Sequence, residues 1–240
     1  MKKNSKFGHT RKLDVSQNPL KKFIDNYQGP MSTKWDNYFD VYHRHFSVFR
    51  NTAPVIVEFG VKDGGSLFMW RDYFGKDSRI CGVDINPSCK QLEKDGFEIF
   101  VGDQANKDFL QLVKSAVGPI DVLIDDGGHT MEQQINTFEE LYGLVKCPGI
   151  YLVEDVHTSY WRRRYGGGLR RRGTFIEHTK KLIDQMNAWH ISSKANLVHI
   201  GKDVKVDSFT RSTYSMTYYQ SMVVFEKRQV EKQILSRAGK

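Results

Sequence analysis

Cysteine and long apolar runs are scarce in this chain of 240 residues, and their scarcity excludes several classes of protein. The three cysteines, Cys81, Cys89 and Cys147, are too few and too scattered to form a disulfide framework or a zinc site. No apolar stretch approaches the roughly 18 residues that a membrane-spanning helix needs, and the basic N-terminus lacks the apolar run of a secretory signal. We therefore expect a reduced, cytoplasmic protein without a membrane span.

The composition, with 39% hydrophobic and 27% charged residues, is that of a globular protein, and the length suffices for one domain with a full core. The net charge is +8, but six of the 36 basic residues lie between Arg162 and Arg172. A basic patch confined to one segment favours a local anionic partner over an extended nucleic-acid-binding face.

Three parts of the chain differ in pattern. Residues 1–50 begin as a polar, Lys-rich tail and continue into an aromatic helical extension, residues 51–228 form the main domain, and residues 229–240 form a basic C-terminal tail. The extension has Ser32 or Thr33 as a candidate N-cap, and its aromatic residues recur at helical spacing. These residues are Trp35, Tyr38, Phe39, Tyr42, Phe46 and Phe49. Such a stripe is typical of a buried helix face; the alternative is that one ring, for example that of Tyr38, projects into a cofactor cleft.

Short apolar runs alternate with helical stretches through the main domain. The runs interpreted as strands are Val55–Phe59, Arg79–Asp84, Phe97–Val101, a run from Asp121, a run from Gly149, Asn196–Ile200 and Ser221–Glu226. The helical stretches are Leu67–Phe74, about Lys107–Ala116, Met131–Val145 and Phe175–Trp189. This alternation predicts an α/β fold of the Rossmann-like, doubly wound type, with a mostly parallel sheet and helices on both faces.

Two of the predicted strands end in paired carboxylates. The first ends in Asp125 and Asp126, with His129 three residues later, and the second ends in Glu154 and Asp155. The carboxyl ends of neighbouring parallel strands meet at one edge of the sheet, where ligands collect. Because so many negative charges in a small space require a compensating cation, we predict a hard metal ion there, beside a histidine that can act as a general base.

The turn over residues 60–66, after the first strand, predicts a site for an adenosyl cofactor. Its glycines let the backbone approach a ligand, and the next helix offers its N-terminal amides. Asp84 ends the second strand, where a carboxylate commonly binds ribose hydroxyls, whereas the acidic Glu58 beside the turn disfavours a phosphate. The alternative is that Glu58 is a turn residue and Asp84 a helix cap. We assign cofactor contacts to Glu58, Gly60, Gly64, Gly65, Ser66, Asp84, Asp103, Gln104 and Asp125.

Residues 57–66, 124–130 and 152–159 resemble the class I methyltransferases that act on sugar hydroxyls of macrolides, a family that also includes proteins named for cephalosporin hydroxylation. The likeness extends from about Trp35 to Glu226, and its specific part is the two paired-carboxylate motifs. The resemblance implies a seven-stranded sheet, S-adenosylmethionine and a magnesium ion, and it makes the main domain a methyltransferase domain.

The resemblance also implies roles for individual residues: Asp126, Glu154 and Asp155 as metal ligands, and His129 as the general base. Carboxylate oxygens suit Mg²⁺, which lowers the pKa of a bound hydroxyl, and a nearby histidine can then take the proton. We therefore expect an enzyme that uses S-adenosylmethionine and Mg²⁺ to methylate a hydroxyl of a sugar or a glycosylated metabolite.

A basic, glycine-bearing loop at about 157–174 follows the second carboxylate pair. Mobile loops beside active sites often act as lids. We hypothesise that Trp161 and Tyr165 stack on a sugar while the arginines bind a phosphate or carboxylate of an anionic acceptor. A solvated loop without a ligand is the alternative.

Other functions and states stay open at this point. A metal-dependent oxygenase of the same family would need two histidine ligands, for which His129 and His157 are the candidates. A nucleic-acid-binding protein would use the basic loop, but the sequence shows no recognition helix or RNA-binding motif, so nucleic acid is a disfavoured partner. The aromatic N-terminal helix is also compatible with a homo-oligomer.

Overall fold

The computed structural model describes residues 17–191 and 204–239, so the strand predicted over Asn196–Ile200 lies outside the described residues. The strands are β1 Val55–Phe59, β2 Arg79–Asp84, β3 Glu98–Val101, β4 Ile120–Asp125, β5 Val145–Val153, β6 Thr213–Tyr219 and β7 Met222–Lys227. They form one seven-stranded sheet in the order β3-β2-β1-β4-β5-β7-β6. Strands β1 to β5 run parallel, whereas β7 is antiparallel to both β5 and β6. The predicted α/β fold with a mostly parallel sheet is confirmed.

The helices lie between the strands and before them. They are α1 Pro19–Asn26, α2 Tyr38–Phe46, α3 Gly65–Phe74, α4 Lys107–Val117, α5 Met131–Leu141, α6 Phe175–Met186 and α7 Ser208–Ser212. Short 3-10 segments occur at Ser47–Phe49, Pro87–Asp95, Tyr142–Leu144 and Val156–Tyr160. Among the described residues, no helix combines the length and the apolar composition that crossing a bilayer requires.

A hydrophobic core covers each face of the sheet. Along β1, Ile56 packs into one cluster and Val57 into the other, because successive side chains of a strand point to opposite faces. The first cluster includes Tyr42 of α2 and Trp70 of α3, and the second includes Leu141 of α5. Helix α2 thus shares a core with the sheet. The domain boundary at residue 50 stays a prediction.

Helix α2 carries most of the predicted aromatic stripe. Its buried rings, with that of the following 3-10 turn, are Tyr38, Phe39, Tyr42, Phe46 and Phe49. The helix begins later than predicted, because Asn37 is its N-cap residue and neither Ser32 nor Thr33 caps it. Trp35 lies before the helix with 61% of its surface exposed, so its assignment to the buried stripe was wrong. The segment before α2 instead turns Lys34 into the interior.

The elements after β4 differ from the sequence predictions at three places. The helix predicted from Met131 ends at Leu141, and β5 begins at Val145 instead of Gly149. The helix predicted from Phe175 ends at Met186. Strand β6 was not predicted, because its serine, threonine and tyrosine side chains are mostly half-buried or exposed at the edge of the sheet and form no apolar run.

The strand register brings the carboxyl ends of β1, β4 and β5 to one edge of the sheet. Phe59 pairs with Asp125, and Asp125 pairs with Val153. The residues that follow these strands therefore lie beside Glu58 on β1. In open α/β sheets this edge is where ligands bind.

Candidate active site

A cavity of about 410 Å³ opens at the carboxyl ends of β1, β2 and β4. Its lining includes three of the residues assigned to the cofactor: Gly60, Asp84 and Gln104. The same cavity is lined by Asp126, His129 and Asp155, which were assigned to the metal and to catalysis. The structure therefore brings the two predicted sites together in one cleft.

Backbone geometry shapes the cofactor end of this cavity. Gly60 has a φ of +88°, and a Cβ there would lie 1.9 Å from the carbonyl oxygen of Asp126. Only glycine allows the two backbone segments to approach so closely. The Asp84 carboxylate accepts hydrogen bonds at 2.8 and 2.9 Å from the backbone N–H groups of Lys62 and Asn86, which fix it at the cavity wall. A fixed carboxylate at the end of β2 suits the recognition of ribose hydroxyls.

The other residues assigned to the cofactor stand behind the lining or outside it. Glu58 is fully buried and accepts a 2.6 Å hydrogen bond from Ser66. Asp125 is also fully buried and accepts a 2.6 Å hydrogen bond from Gln104. Burial raises the pKa of both carboxyl groups. Asp103 is exposed, and its carboxylate accepts a hydrogen bond from a backbone N–H two residues later.

Gly64 and Gly65, the last of the assigned set, do not line the cavity. Gly64 is the N-cap residue of α3 and Gly65 its first residue. The structure thus places them at the start of the helix that follows the glycine turn.

Asp126, His129 and Asp155 converge at the catalytic end of the cavity. The His129 Nε2 atom lies 3.8 Å from Asp126 Oδ1 and 3.7 Å from Asp155 Oδ2. One donor atom from each residue lies within 4.8 Å of the other two, which is the spacing that a shared metal ion needs. Hard carboxylate oxygens are the ligands that Mg²⁺ prefers, so Asp126 and Asp155 fit this ion, and the His129 nitrogen lies beside them.

The backbone at this cluster is held in a rare conformation. His129 and Asp155 have φ values of 55° and 50°, in the left-handed region that most side chains avoid. Such conformations persist only where the surrounding structure holds them, and they concentrate at functional sites. The Nδ1 atom of His129 is buried without a hydrogen-bond partner among the described residues, whereas its Nε2 atom lies beside the two carboxylates.

Glu154, the third assigned metal ligand, has other partners in the structure. Its Oε1 atom accepts hydrogen bonds from the Tyr42 hydroxyl at 2.6 Å and from the Lys34 ammonium at 3.0 Å. Burial raises the pKa of Glu154 well above its usual value, and the charge of Asp126 raises it further. Its role as a metal ligand therefore stays a prediction, while the geometry favours Asp126 and Asp155.

Two residues of the site, Lys34 and Tyr38, received no assigned role from the sequence. Burial alone would lower the pKa of Lys34, but the carboxylates of Asp126, Glu154 and Glu58 hold it well above the usual value. The Tyr38 hydroxyl donates a 2.6 Å hydrogen bond to Asp155 Oδ1. The sequence offered no signal for Lys34, which follows a Lys-rich segment of ordinary surface composition, whereas Tyr38 was named as a ring that could enter the cleft.

A second cavity, of about 780 Å³, is lined mainly by aromatic rings, that of Tyr38 among them. The aromatic residues are Trp35, Tyr38, His157, Tyr160, Trp161, Tyr218 and Tyr219. Trp161 has 51% of its surface exposed and lies edge-to-face with His157 at 4.5 Å. We refer to this space as the aromatic cavity.

The basic loop is connected to the body of the protein by backbone hydrogen bonds. Gly167 N–H donates to the carbonyl of Trp161, and Met131 N–H donates to that of Tyr165. Among the described residues, no arginine of the loop lines either the cofactor cavity or the aromatic cavity. Trp161 does line the aromatic cavity, whereas Tyr165 does not.

Comparison with known proteins agrees with this geometry. A family model described as a methyltransferase domain matches residues 57–156. The chain is 32% identical over 206 residues to the 8-demethyl-8-alpha-L-rhamnosyl tetracenomycin-C 2'-O-methyltransferase of Streptomyces olivaceus, covering 82% of this chain and 52% of the relative. It is 32% identical over 165 residues to the mycinamicin VI 2''-O-methyltransferase of Micromonospora griseorubida, covering 65% of this chain and 41% of the relative.

Among solved structures, the MycE methyltransferase from the mycinamycin biosynthetic pathway, in complex with Mg and SAH, matches with a TM-score of 0.75 and 26% identity. The match covers 88% of this chain and 55% of that chain. The chain thus spans about half the length of the relatives it matches. The predicted resemblance is confirmed: residues 57–156 match a methyltransferase domain, and the relatives of the chain are O-methyltransferases of sugar-bearing natural products.

Proposed function

We propose that this chain is an S-adenosylmethionine-dependent, Mg²⁺-dependent O-methyltransferase that acts on a hydroxyl of a sugar or glycosylated metabolite. One observation carries the proposal: Asp84 and the Asp126–His129–Asp155 cluster line the same cavity. A cofactor bound at Asp84 would therefore extend toward the residues that bind and deprotonate the acceptor. The names of the relatives, which include rhamnosyl and macrolide O-methyltransferases, support the same reading.

The cofactor would lie along the cavity with its ribose at Asp84 and its sulfonium end toward His129. Gly60 keeps the cavity floor free of side chains, and Gln104 lines the wall while donating to the buried Asp125. The MycE relative was solved with Mg and SAH, the product form of this cofactor, which supports a matching site here.

Asp126 and Asp155 would hold the magnesium ion, with Glu154 as the predicted further ligand. When bound, the ion would lower the pKa of a coordinated acceptor hydroxyl and orient it. Tyr38 holds one oxygen of Asp155, so that the other oxygen faces the cleft. The carboxylates are thus already oriented by the residues of this chain.

His129 would act as the general base. Its Nε2 atom points to the space between Asp126 and Asp155, where the acceptor oxygen would lie. His129 takes the hydroxyl proton while that oxygen forms a bond to the methyl carbon. When bound, S-adenosylmethionine would supply the methyl group and leave as S-adenosylhomocysteine, so that the product would be the methyl ether. In-line placement of oxygen, carbon and sulfur is what the shared cavity contributes.

The aromatic cavity would receive the acceptor. Exposed rings such as those of Trp35, Tyr160 and Trp161 offer flat apolar surfaces on which the carbon faces of a sugar ring can pack. The described lining contains no lysine or arginine, so the cavity favours an uncharged glycoside over the anionic acceptor that the basic loop suggested. This geometry does not support an anionic acceptor or a lid role for the basic loop. It gives no support for a homo-oligomer either.

Calorimetric titration with S-adenosylhomocysteine tests the proposal, using the wild-type chain and Asp84→Asn. We expect one binding site in the wild type and a Kd about ten-fold or more higher in the variant, because a hydrogen bond to a charged group contributes about 1.5–3 kcal/mol. Asp77→Asn is the matched control, since Asp77 is exposed before β2, at the opposite end of that strand from Asp84. Absence of binding by the folded wild type, or equal binding by Asp84→Asn, would refute the assignment.

A further inference from the structure

Three consecutive residues before α2 reach three different parts of the cleft. Thr33 lines the cofactor cavity, and Trp35 lines the aromatic cavity. Between them, Lys34 enters the cluster of carboxylates. We call residues 30–35 the strap. The strap passes between the cavity assigned to the cofactor and the cavity assigned to the acceptor.

Lys34 anchors the strap at the sheet edge. Its side chain is 3% exposed, and its ammonium contacts Asp126 Oδ2, lies 3.0 Å from Glu154 Oε1 and lies 3.5 Å from Glu58 Oε1. The three carboxylates belong to or directly follow β1, β4 and β5, which are neighbours in the sheet. One cation therefore joins the strap to the ends of three strands.

The strap also packs against the start of α3, at the end of the cofactor turn. A Cβ on Gly65 would lie 2.3 Å from the carbonyl oxygen of Pro30 and 2.6 Å from the backbone of Met31. The strap backbone thus rests directly on the first turn of α3. Loss of the Lys34 contacts would therefore shift the first turn of α3 and the part of the cavity wall that Thr33 forms.

The orientation of Asp126 also depends on Lys34. The ammonium occupies Oδ2 of this carboxylate, and Oδ1 faces His129 Nε2 at 3.8 Å. Without the cation, three carboxylates would face one another with no compensating charge in the described residues beside them, and they would repel. Lys34 therefore fixes both the strap and the carboxylate that the proposed function uses.

We propose that Lys34 is a positioning residue that fastens the strap across the active site, so that cofactor affinity depends on this one ammonium group. The inference rests on the proposed function in that it takes the first cavity as the cofactor site. Lys34 touches none of the reacting oxygen, carbon and sulfur atoms. It acts through Thr33, through the start of α3 and through Asp126.

The test compares Lys34→Met with Lys227→Met by calorimetric titration with S-adenosylhomocysteine and by thermal unfolding. Lys227 is the matched control because it is also buried, at 4% exposure. Its ammonium donates to the Tyr142 carbonyl, which precedes β5 and so lies at the opposite end of that strand from Glu154. We expect the Kd of Lys34→Met to rise about ten-fold or more. Without the ammonium, a smaller fraction of molecules holds the strap in the position seen here, and apparent affinity falls with that fraction. The Kd of Lys227→Met should equal that of the wild type.

The outcomes separate the possible failures. If the folded wild type does not bind S-adenosylhomocysteine, the proposed function fails. If the wild type binds and Lys34→Met binds equally well, or if both variants weaken binding to the same extent, the positioning role is refuted while the proposed function stands. Lys34→Gln, which retains hydrogen-bond donors without the charge, gives the same comparison if Lys34→Met does not fold.

Discussion

The two carboxylates that follow β5 are each held by a tyrosine of α2. Tyr38 donates to Asp155, and Tyr42 donates to Glu154. Both tyrosines are almost fully buried, and burial raises the pKa of each hydroxyl, so they stay protonated donors. Fixed outer partners of this kind orient ligand side chains and affect metal affinity.

Replacing Tyr38 with phenylalanine tests this arrangement at the scale of one hydroxyl. We expect the affinity for Mn²⁺, measured by the decrease of the free-ion signal in electron paramagnetic resonance, to fall about 10- to 100-fold, as is usual when an outer partner of a metal ligand is lost. Tyr73→Phe is the control, since its buried hydroxyl pairs with His43 instead of a carboxylate. Equal Mn²⁺ affinity in Tyr38→Phe and Tyr73→Phe would contradict the orienting role.

Sequence reasoning assigned roles to residues that the structure brings together, but it missed the lysine that balances their charge. Asp126, His129 and Asp155 lie at strand ends, where local patterns predict both position and role. Lys34 lies 92 residues before Asp126 and 120 before Glu154, and nothing in its immediate neighbours distinguishes it from a surface lysine. Its role depends on the path of the chain between Pro30 and Asn37, which apolar periodicity does not encode.

At the scale of elements, the start of α5 places His129. Thr130 is the N-cap, and with Gln133 it forms a capping box in which each side chain satisfies a backbone donor of the other. The cap directly follows His129, whose backbone is in the left-handed region. It therefore fixes the start of α5 next to this histidine. The Thr130 backbone is extended, as is normal for an N-cap.

Loss of this cap should cost stability and also disturb the histidine. We expect Thr130→Ala to lower the free energy of unfolding by about 1 kcal/mol, the usual value for an N-cap hydroxyl. Denaturant titration followed by circular dichroism measures the change. Thr130→Ser keeps the hydroxyl and should retain most of the wild-type stability; a loss as large in Thr130→Ser would show that the capping bond is not the cause.

Elements with a strong apolar pattern were predicted well, and those without one were not. Strands β1 and β2 have the predicted bounds, because each is an apolar run that is buried on both faces. Strand β6 has no such run, and it is placed only by its antiparallel pairing with β7. The start of α2 was wrong by several residues, since Trp35 fits the helical spacing but lies outside the helix.

At the scale of the whole molecule, the cofactor cavity and the aromatic cavity are linked by a space that shares lining residues with both. This third space, of about 470 Å³, shares Asp126 and Asp155 with the first cavity and Trp35 and Tyr38 with the second, and Lys34 also lines it. The cofactor and the acceptor would thus approach the Asp126–His129–Asp155 cluster from opposite sides.

The central claim is that a metal site and a cofactor site share one cleft, and nuclear magnetic relaxation tests it most directly. Mn²⁺ is added to the wild-type chain saturated with S-adenosylhomocysteine, and the relaxation rates of the bound ligand's protons are measured. We predict a large increase in the wild type and a much smaller one in the double variant Asp126→Asn, Asp155→Asn. Bound S-adenosylhomocysteine whose protons relax equally with and without Mn²⁺ would contradict the shared cleft.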